Sequence, residues 1–147
     1  MTILIAYDGS ADARAAVEFA GRHLTAEAAV VVTVWEPLLV QLRRYPLAGL
    51  AIAEDTGEAQ AQAEQYAKEG AELAAEAGLR NVTSRAVADY ESIWRTIVDV
   101  ADEIDASLVV TGSRGLAGVR SVLLGSVSNH VLHHAHRPIL IVPPAKG

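Results

Sequence analysis

Residues 111–129 read TGSRGLAGVRSVLLGSVSN, and the rest of the chain is arranged around them. Residues 107–111 (SLVVT) are uncharged and rich in β-branched side chains, which predicts a short buried strand. Residues 126–135 are apolar enough to predict a packed helix. Glycines therefore stand where a strand becomes a loop and where the loop becomes a helix. The spacing is Gly112, two residues, Gly115, nine residues, Gly125 and then Ser126.

This glycine pattern has two interpretations. In the first, Gly112 and Gly115 adopt positive φ and let the backbone approach a ligand, while Gly125 and Ser126 place unpaired N–H groups and a hydroxyl at a helix N-terminus. Those groups would form an anion cradle suited to phosphate. In the second, the glycines only make a tight turn and Ser126 only caps the helix.

The length and composition favour one soluble domain. A chain of 147 residues is about one domain, so we expect a single domain over residues 1–147. Although 51% of the residues are hydrophobic, no uncharged run approaches the ~20 residues that a membrane span needs. The N-terminus also lacks the basic region and cleavage site of a signal peptide. We therefore expect a cytoplasmic protein that does not insert into a membrane.

Two further counts exclude classes of function. The chain has no cysteine, which excludes disulfides, thiolate catalysis and thiolate metal sites. Its formal net charge of −6 argues against nucleic acid or an anionic membrane surface as a partner, because both would need a basic face. The net charge does not exclude a local basic pocket.

The remaining sequence alternates between strand and helix patterns. Alternation of this kind, with apolar strands, predicts an α/β fold: a doubly wound, five-stranded parallel sheet of Rossmann-like type, with helices on both faces and strand order 3-2-1-4-5. The predicted strands are 3–7, 28–35, 82–88, 107–111 and 138–142, and the predicted helices are 11–24, 58–77, 93–104 and 126–135.

In that strand order, the first and fourth strands are neighbours and flank the point where the winding direction reverses. Sheets of this kind bind ligands there, at the carboxyl ends of the strands. Asp8 follows the first strand, the glycine loop follows the fourth, and Val34 lies at the end of the second. The sequence therefore predicts that these groups form one site.

Two segments each have two alternative interpretations. Residues 36–57 form a long, apolar connection, which indicates either a ligand lid or dimer contact, or a short helix that patches the core. Four histidines crowd the last helix: a metal site is one interpretation, and polar groups at a helix C-terminus, which we favour, are the other. These are His130, His133, His134 and His136.

The motifs together match a known family. Asp8 after the first strand, the pieces TGSRG and LLGSVSNHV, and the closing strand PILIVP make the whole chain resemble a single-domain universal stress protein of the ATP-binding subclass. The resemblance implies the same fold and a nucleotide-dependent regulatory dimer of the stress response, with little or no turnover. The alternative is a slow ATPase or a nucleotide-dependent transferase.

The resemblance also implies roles for individual residues. Asp8 resembles the acid that meets the ribose, and the dimer would form through strand 138–142. Apart from the resemblance, the carboxylate chemistry of Asp8 would let it hold Mg²⁺ through the nucleotide. The expected adenine neighbours are Ala6, Tyr7 and Val34. The expected phosphate ligands are Gly112, Gly115, Gly125 and Ser126, with Ser128 as a second hydroxyl and Arg114 near the phosphate tail. Thr111 and Val127 complete the expected nucleotide-binding set.

Overall fold

The structure, a computed structural model, describes residues 1–37, 57–113 and 126–144. These residues form a five-stranded parallel sheet in the order β3-β2-β1-β4-β5, so the predicted fold class and strand order are confirmed. None of the described helices is long and apolar enough to cross a membrane. In chain order, the elements are β1 (Thr2–Ala6), α1 (Ala11–His23), β2 (Ala28–Trp35), α2 (Glu58–Ala77), β3 (Val82–Ala88), α3 (Ile93–Glu103), β4 (Leu108–Gly112), α4 (Ser126–His134) and β5 (Ile139–Val142).

The sheet separates two apolar cores. Strand β1 is central, and Ile3, Leu4 and Ile5 are fully buried because helices cover both faces of the sheet. Alternate residues of each strand face opposite sides. Ile3 and Ile5 therefore belong to the first core, together with side chains of α1 and α2, whereas Leu4 belongs to the second core, together with side chains of α3 and α4.

Helix α1 begins and packs as its sequence indicates. The Ser10 side chain caps it by accepting a hydrogen bond from the backbone N–H of Ala13 at 3.1 Å. Gly21 interrupts the apolar pattern of α1 because the helix lies against α2 at this point. A Cβ atom on Gly21 would lie 2.2 Å from the Cβ of Ala77, so only glycine permits this approach.

Tyr7, the residue directly after β1, connects the end of this strand to helix α2. Its side chain is buried in the first core, and its hydroxyl donates a 2.6 Å hydrogen bond to Glu69. Arg14 of α1 donates to the same carboxylate at 2.9 Å, so one acidic group joins three elements. Burial, followed by the hydrogen bond to Glu69, raises the pKa of Tyr7 to about 12.

We predict that Tyr7→Phe lowers the free energy of unfolding by about 1–2 kcal/mol near pH 8, because the carboxylate loses a donor. The difference from wild type should then shrink as the pH rises. A tyrosine with its ordinary pKa of 10.0 ionises before the folded-state group does, so the stabilisation is complete below pH 10 and is lost as the pH approaches 12.

Urea unfolding of both proteins at several pH values between 8 and 12 measures this difference. Tyr90→Phe is the matched control, since the Tyr90 side chain is 69% exposed. The same pH dependence in both variants would contradict the assignment of the raised pKa to Tyr7.

Candidate functional site

The carboxyl ends of β1 and β4 lie side by side. The two strands are paired in parallel, with Ile5 opposite Val110, so Asp8 and Gly112 follow neighbouring positions at the same edge of the sheet. The prediction that the first and fourth strands adjoin is thereby confirmed. This edge is where doubly wound sheets carry their ligands.

The loop between β1 and α1 holds Asp8 in place. The backbone N–H of Ser10 donates to the Asp8 carboxylate at 2.9 Å, and Asp8 is half-buried. Gly9 has φ of 81°, a conformation that favours glycine, and a Cβ atom there would lie 2.9 Å from the ring of Tyr66. The loop therefore fixes the Asp8 backbone between α1 and α2.

The prediction that Gly112 adopts a positive φ is wrong. We expected it to adopt positive φ, but it is the last residue of β4 and lies outside the left-handed region. Glycine is needed here for a different reason. A Cβ atom would lie 2.9 Å from the backbone carbonyl carbon of Asp12, so a side chain would push the first turn of α1 away from the sheet.

Three hydroxyl groups join β4 to its two neighbouring helices. The Ser113 hydroxyl donates to the Asp12 carboxylate of α1 at 3.2 Å. The Ser128 hydroxyl of α4 is buried and donates to the backbone carbonyl of Gly112 at 2.6 Å. The Thr111 hydroxyl lies 3.5 Å from the Ser128 hydroxyl. Ser128 thus has a structural hydrogen bond in this structure, and its predicted contact with phosphate stays a prediction.

The N-terminus of α4 faces solvent at this edge. Ser126 is the first residue of the helix and is exposed, and Val127 packs against the second core. The first N–H groups of a helix lack partners within it and attract anions. The predicted site residues Arg114, Gly115 and Gly125 lie outside the described residues.

The predicted adenine neighbours do not share one face of the sheet. Ala6 and Val34 pack against the second core, as Val127 does. The Tyr7 side chain belongs to the first core, on the opposite face, where it contacts Glu69. Only the backbone of Tyr7 therefore lies at the edge where Ala6 and Asp8 meet.

Two of the four histidines near the end of the chain, His130 and His134, stack on the ring of Trp94 in α3. The Trp94 ring lies 4.6 Å from the His134 ring and 5.5 Å from the His130 ring, measured between centroids. His130 also places Nδ1 2.7 Å from the backbone carbonyl of Ser126, the first residue of α4. The described residues contain no group of three or more histidine, aspartate or glutamate side chains arranged to hold a metal ion.

Sequence reasoning missed Asp89, which follows β3. Its backbone N–H donates to the carbonyl of Trp35 at 2.7 Å and extends the ladder between β3 and β2. The side chain is fully buried, and one carboxylate oxygen accepts from the backbone N–H of Glu91 at 2.8 Å. The other oxygen, Oδ2, has no hydrogen-bond partner among the described residues. Its position directly after a strand, like that of Asp8, was the available signal.

A groove of about 390 Å³ lies beside β3 and α3, and Ala88 and Tyr90, the neighbours of Asp89 in sequence, are among the residues that line it. Four of the five charged side chains that line it form two ion pairs: Arg85 lies 3.0 Å from Glu103, and Arg95 lies 3.5 Å from Asp99. None of the predicted site residues lines it.

Comparison with known proteins identifies relatives of the chain. The sequence model of the universal stress protein family matches residues 1–143. A universal stress protein of Mycolicibacterium smegmatis is 31% identical over 142 residues, which cover 95% of this chain and 47% of that protein. The chain thus spans about half the length of this curated relative.

Solved structures share the fold. A universal stress protein in complex with cAMP is 24% identical, with a TM-score of 0.66 over 99% of this chain and 98% of that one. The universal stress protein of Archaeoglobus fulgidus in complex with dAMP is 22% identical, with a TM-score of 0.65 over 97% of each chain. At these identities the likeness establishes the architecture. The match of the family model over residues 1–143 shows that this chain belongs to the universal stress protein family.

Proposed function

We propose that the chain binds an adenine nucleotide, ATP foremost, and acts in the cytoplasm as a nucleotide-dependent regulatory dimer of the stress response. The observation that carries the proposal is that Asp8 and Gly112 follow neighbouring positions on the paired strands β1 and β4, and that Ser128 in the first turn of α4 bonds to Gly112. The cAMP and dAMP complexes of two structural neighbours support an adenine nucleotide as the ligand.

The phosphates would lie at the N-terminus of α4. Ser126 is exposed there, and the hydrogen bond from Ser128 to Gly112 holds the helix against β4. Unpaired N–H groups and the helix dipole favour an anion at this position, although the chain as a whole carries a net charge of −6. Mg²⁺, if it accompanies the phosphates, would have the Asp8 carboxylate as its protein ligand.

The base would lie on the second-core side of the same edge. Ala6 ends β1 and Val34 lies near the end of β2, and both are half-buried beside the second core. They offer an apolar surface to a ring, and Asp8 lies between that surface and the phosphate end. An acid in this position suits the hydroxyl groups of a ribose.

We predict that Ser126→Asp weakens ATP binding tenfold or more and leaves adenosine binding unchanged. An aspartate in the first turn is favourable for the helix itself, so the fold should persist. Its negative charge would repel the phosphates, and two like charges about 4 Å apart near a protein surface repel each other by about 4 kcal/mol. Titration calorimetry with ATP and with adenosine measures both affinities.

The matched control for this variant is Gln65→Glu, which adds the same charge at an exposed position on α2. It should bind ATP as wild type does. If Ser126→Asp binds ATP as tightly as the control, the phosphates do not lie at α4 and the site assignment fails.

We further infer that the site turns ATP over slowly or not at all. The sequence lacks the GxxxxGK[ST] pattern, and with it the lysine that P-loop enzymes set against the β- and γ-phosphates. We predict that phosphate release from ATP over several hours stays at the level of the protein-free blank. Release by wild type that Asp8→Ala abolishes would favour the slow ATPase instead.

The dimer would form through β5. This strand pairs with β4 along one edge, and its other edge carries no strand among the described residues. Ile139, Leu140 and Ile141 are only half-buried, which leaves apolar surface beside an unpaired ladder.

We predict that wild type sediments as a dimer at micromolar concentration and that Ile141→Lys sediments as a monomer, because a lysine on an edge strand opposes pairing. Analytical ultracentrifugation of both proteins measures this. A monomeric wild type would rule out the dimer, and a dimeric Ile141→Lys would place the interface elsewhere.

A further inference from the structure

Asp89 carries a buried acceptor that the fold does not use. The residue is fully buried, its Oδ1 accepts from the backbone N–H of Glu91 at 2.8 Å, and its Oδ2 has no hydrogen-bond partner among the described residues. Its backbone N–H is already bonded to Trp35. The side chain is thus held firmly, and one oxygen of the carboxylate is left over.

An unpaired carboxylate oxygen in a protein interior is unfavourable, and buried polar groups almost always have partners. Protonation of Oδ2 would remove the charge but would create an O–H donor that also needs an acceptor. The described residues supply no partner for Oδ2, and a bound ligand with an N–H or O–H donor would supply one.

The position of Asp89 says which part of a ligand would supply that donor. Val87 lies opposite Val34 in the paired strands β3 and β2, and both pack against the second core. Asp89 comes two residues after Val87, and residues two apart point to the same face of a strand. Its carboxylate therefore belongs to the same side of the sheet edge as Ala6 and Val34.

The strand order then matches the order of parts in a nucleotide. Across the edge the strands run β4, β1, β2 and β3, each about 4.8 Å from the next. The proposed phosphate end lies at β4 and α4, Asp8 follows β1, Val34 lies on β2, and Asp89 follows β3. The group that reaches β3 is the edge of the base farthest from the sugar.

We propose that Asp89 selects the base by accepting a hydrogen bond from its exocyclic amino group. This inference rests on the proposed nucleotide site. An ionised carboxylate only accepts, so a 6-amino group on a purine suits Oδ2, whereas a 6-oxo group would oppose it. Because Oδ1 is occupied by Glu91, a single free acceptor meets a single amino group, as in adenine, rather than the two adjacent donors of guanine.

Equilibrium binding of three triphosphates tests the assignment: ATP, inosine triphosphate with a 6-oxo group, and purine riboside triphosphate with hydrogen at that position. Wild type should prefer ATP over both analogues by tenfold or more, since a lost partner leaves a buried polar group unpaired. Asp89→Asn can donate to the 6-oxo group, so its preference for ATP over inosine triphosphate should fall to near onefold or reverse.

Glu76→Gln is the matched control, because it removes one exposed carboxylate on α2, far from this edge of the sheet. This variant should prefer ATP over the two analogues as wild type does. A merely structural role for Asp89 would weaken all three ligands equally in Asp89→Asn, and that result overturns the inference. Equal affinity of wild type for the three triphosphates overturns it without any variant, while leaving the nucleotide site intact. Absence of binding by wild type to any of them overturns the proposed function as well.

Discussion

The contact between Gly112 and the backbone of Asp12 is the constraint on which the site depends. Since Gly112 has no side chain, the first turn of α1 can lie against the end of β4. Ser113 then bonds to Asp12, and Ser128 bonds to the carbonyl of Gly112, so two helices are tied to one strand end. The loop that carries Asp8 precedes α1 directly, so its distance from the N-terminus of α4 is set by this contact.

The buried polar side chains of the described residues are concentrated where the apolar strands end. Helices cover the central strands on both faces, so the strand ends are where side chains and backbone groups can meet a ligand. At this edge most buried polar groups satisfy one another, as Thr111, Ser113 and Ser128 do. Tyr7 is satisfied in the same way on the opposite face, by Glu69. Asp89 is the exception among the described residues.

The sequence predicts the fold well because each element has a local cause. Apolar, β-branched runs and helical periodicity are properties of neighbouring residues, and their alternation limits the topology. The site was harder to predict because it depends on tertiary contacts. Gly112 is a glycine for close packing rather than for its φ, Ser128 bonds inward, Tyr7 faces the first core, and Asp89 looks like an ordinary turn residue until its burial is known.

The ladder bond at position 89 does not depend on the side chain. Strand β3 lies at the end of the sheet order, and Asp89 extends the ladder through its backbone N–H, so that bond survives a change of side chain. Gly112 has no such freedom, because a side chain there would displace α1. Since fold alone does not determine ligand choice, the base selectivity that we propose rests on the side chain of Asp89 rather than on the architecture.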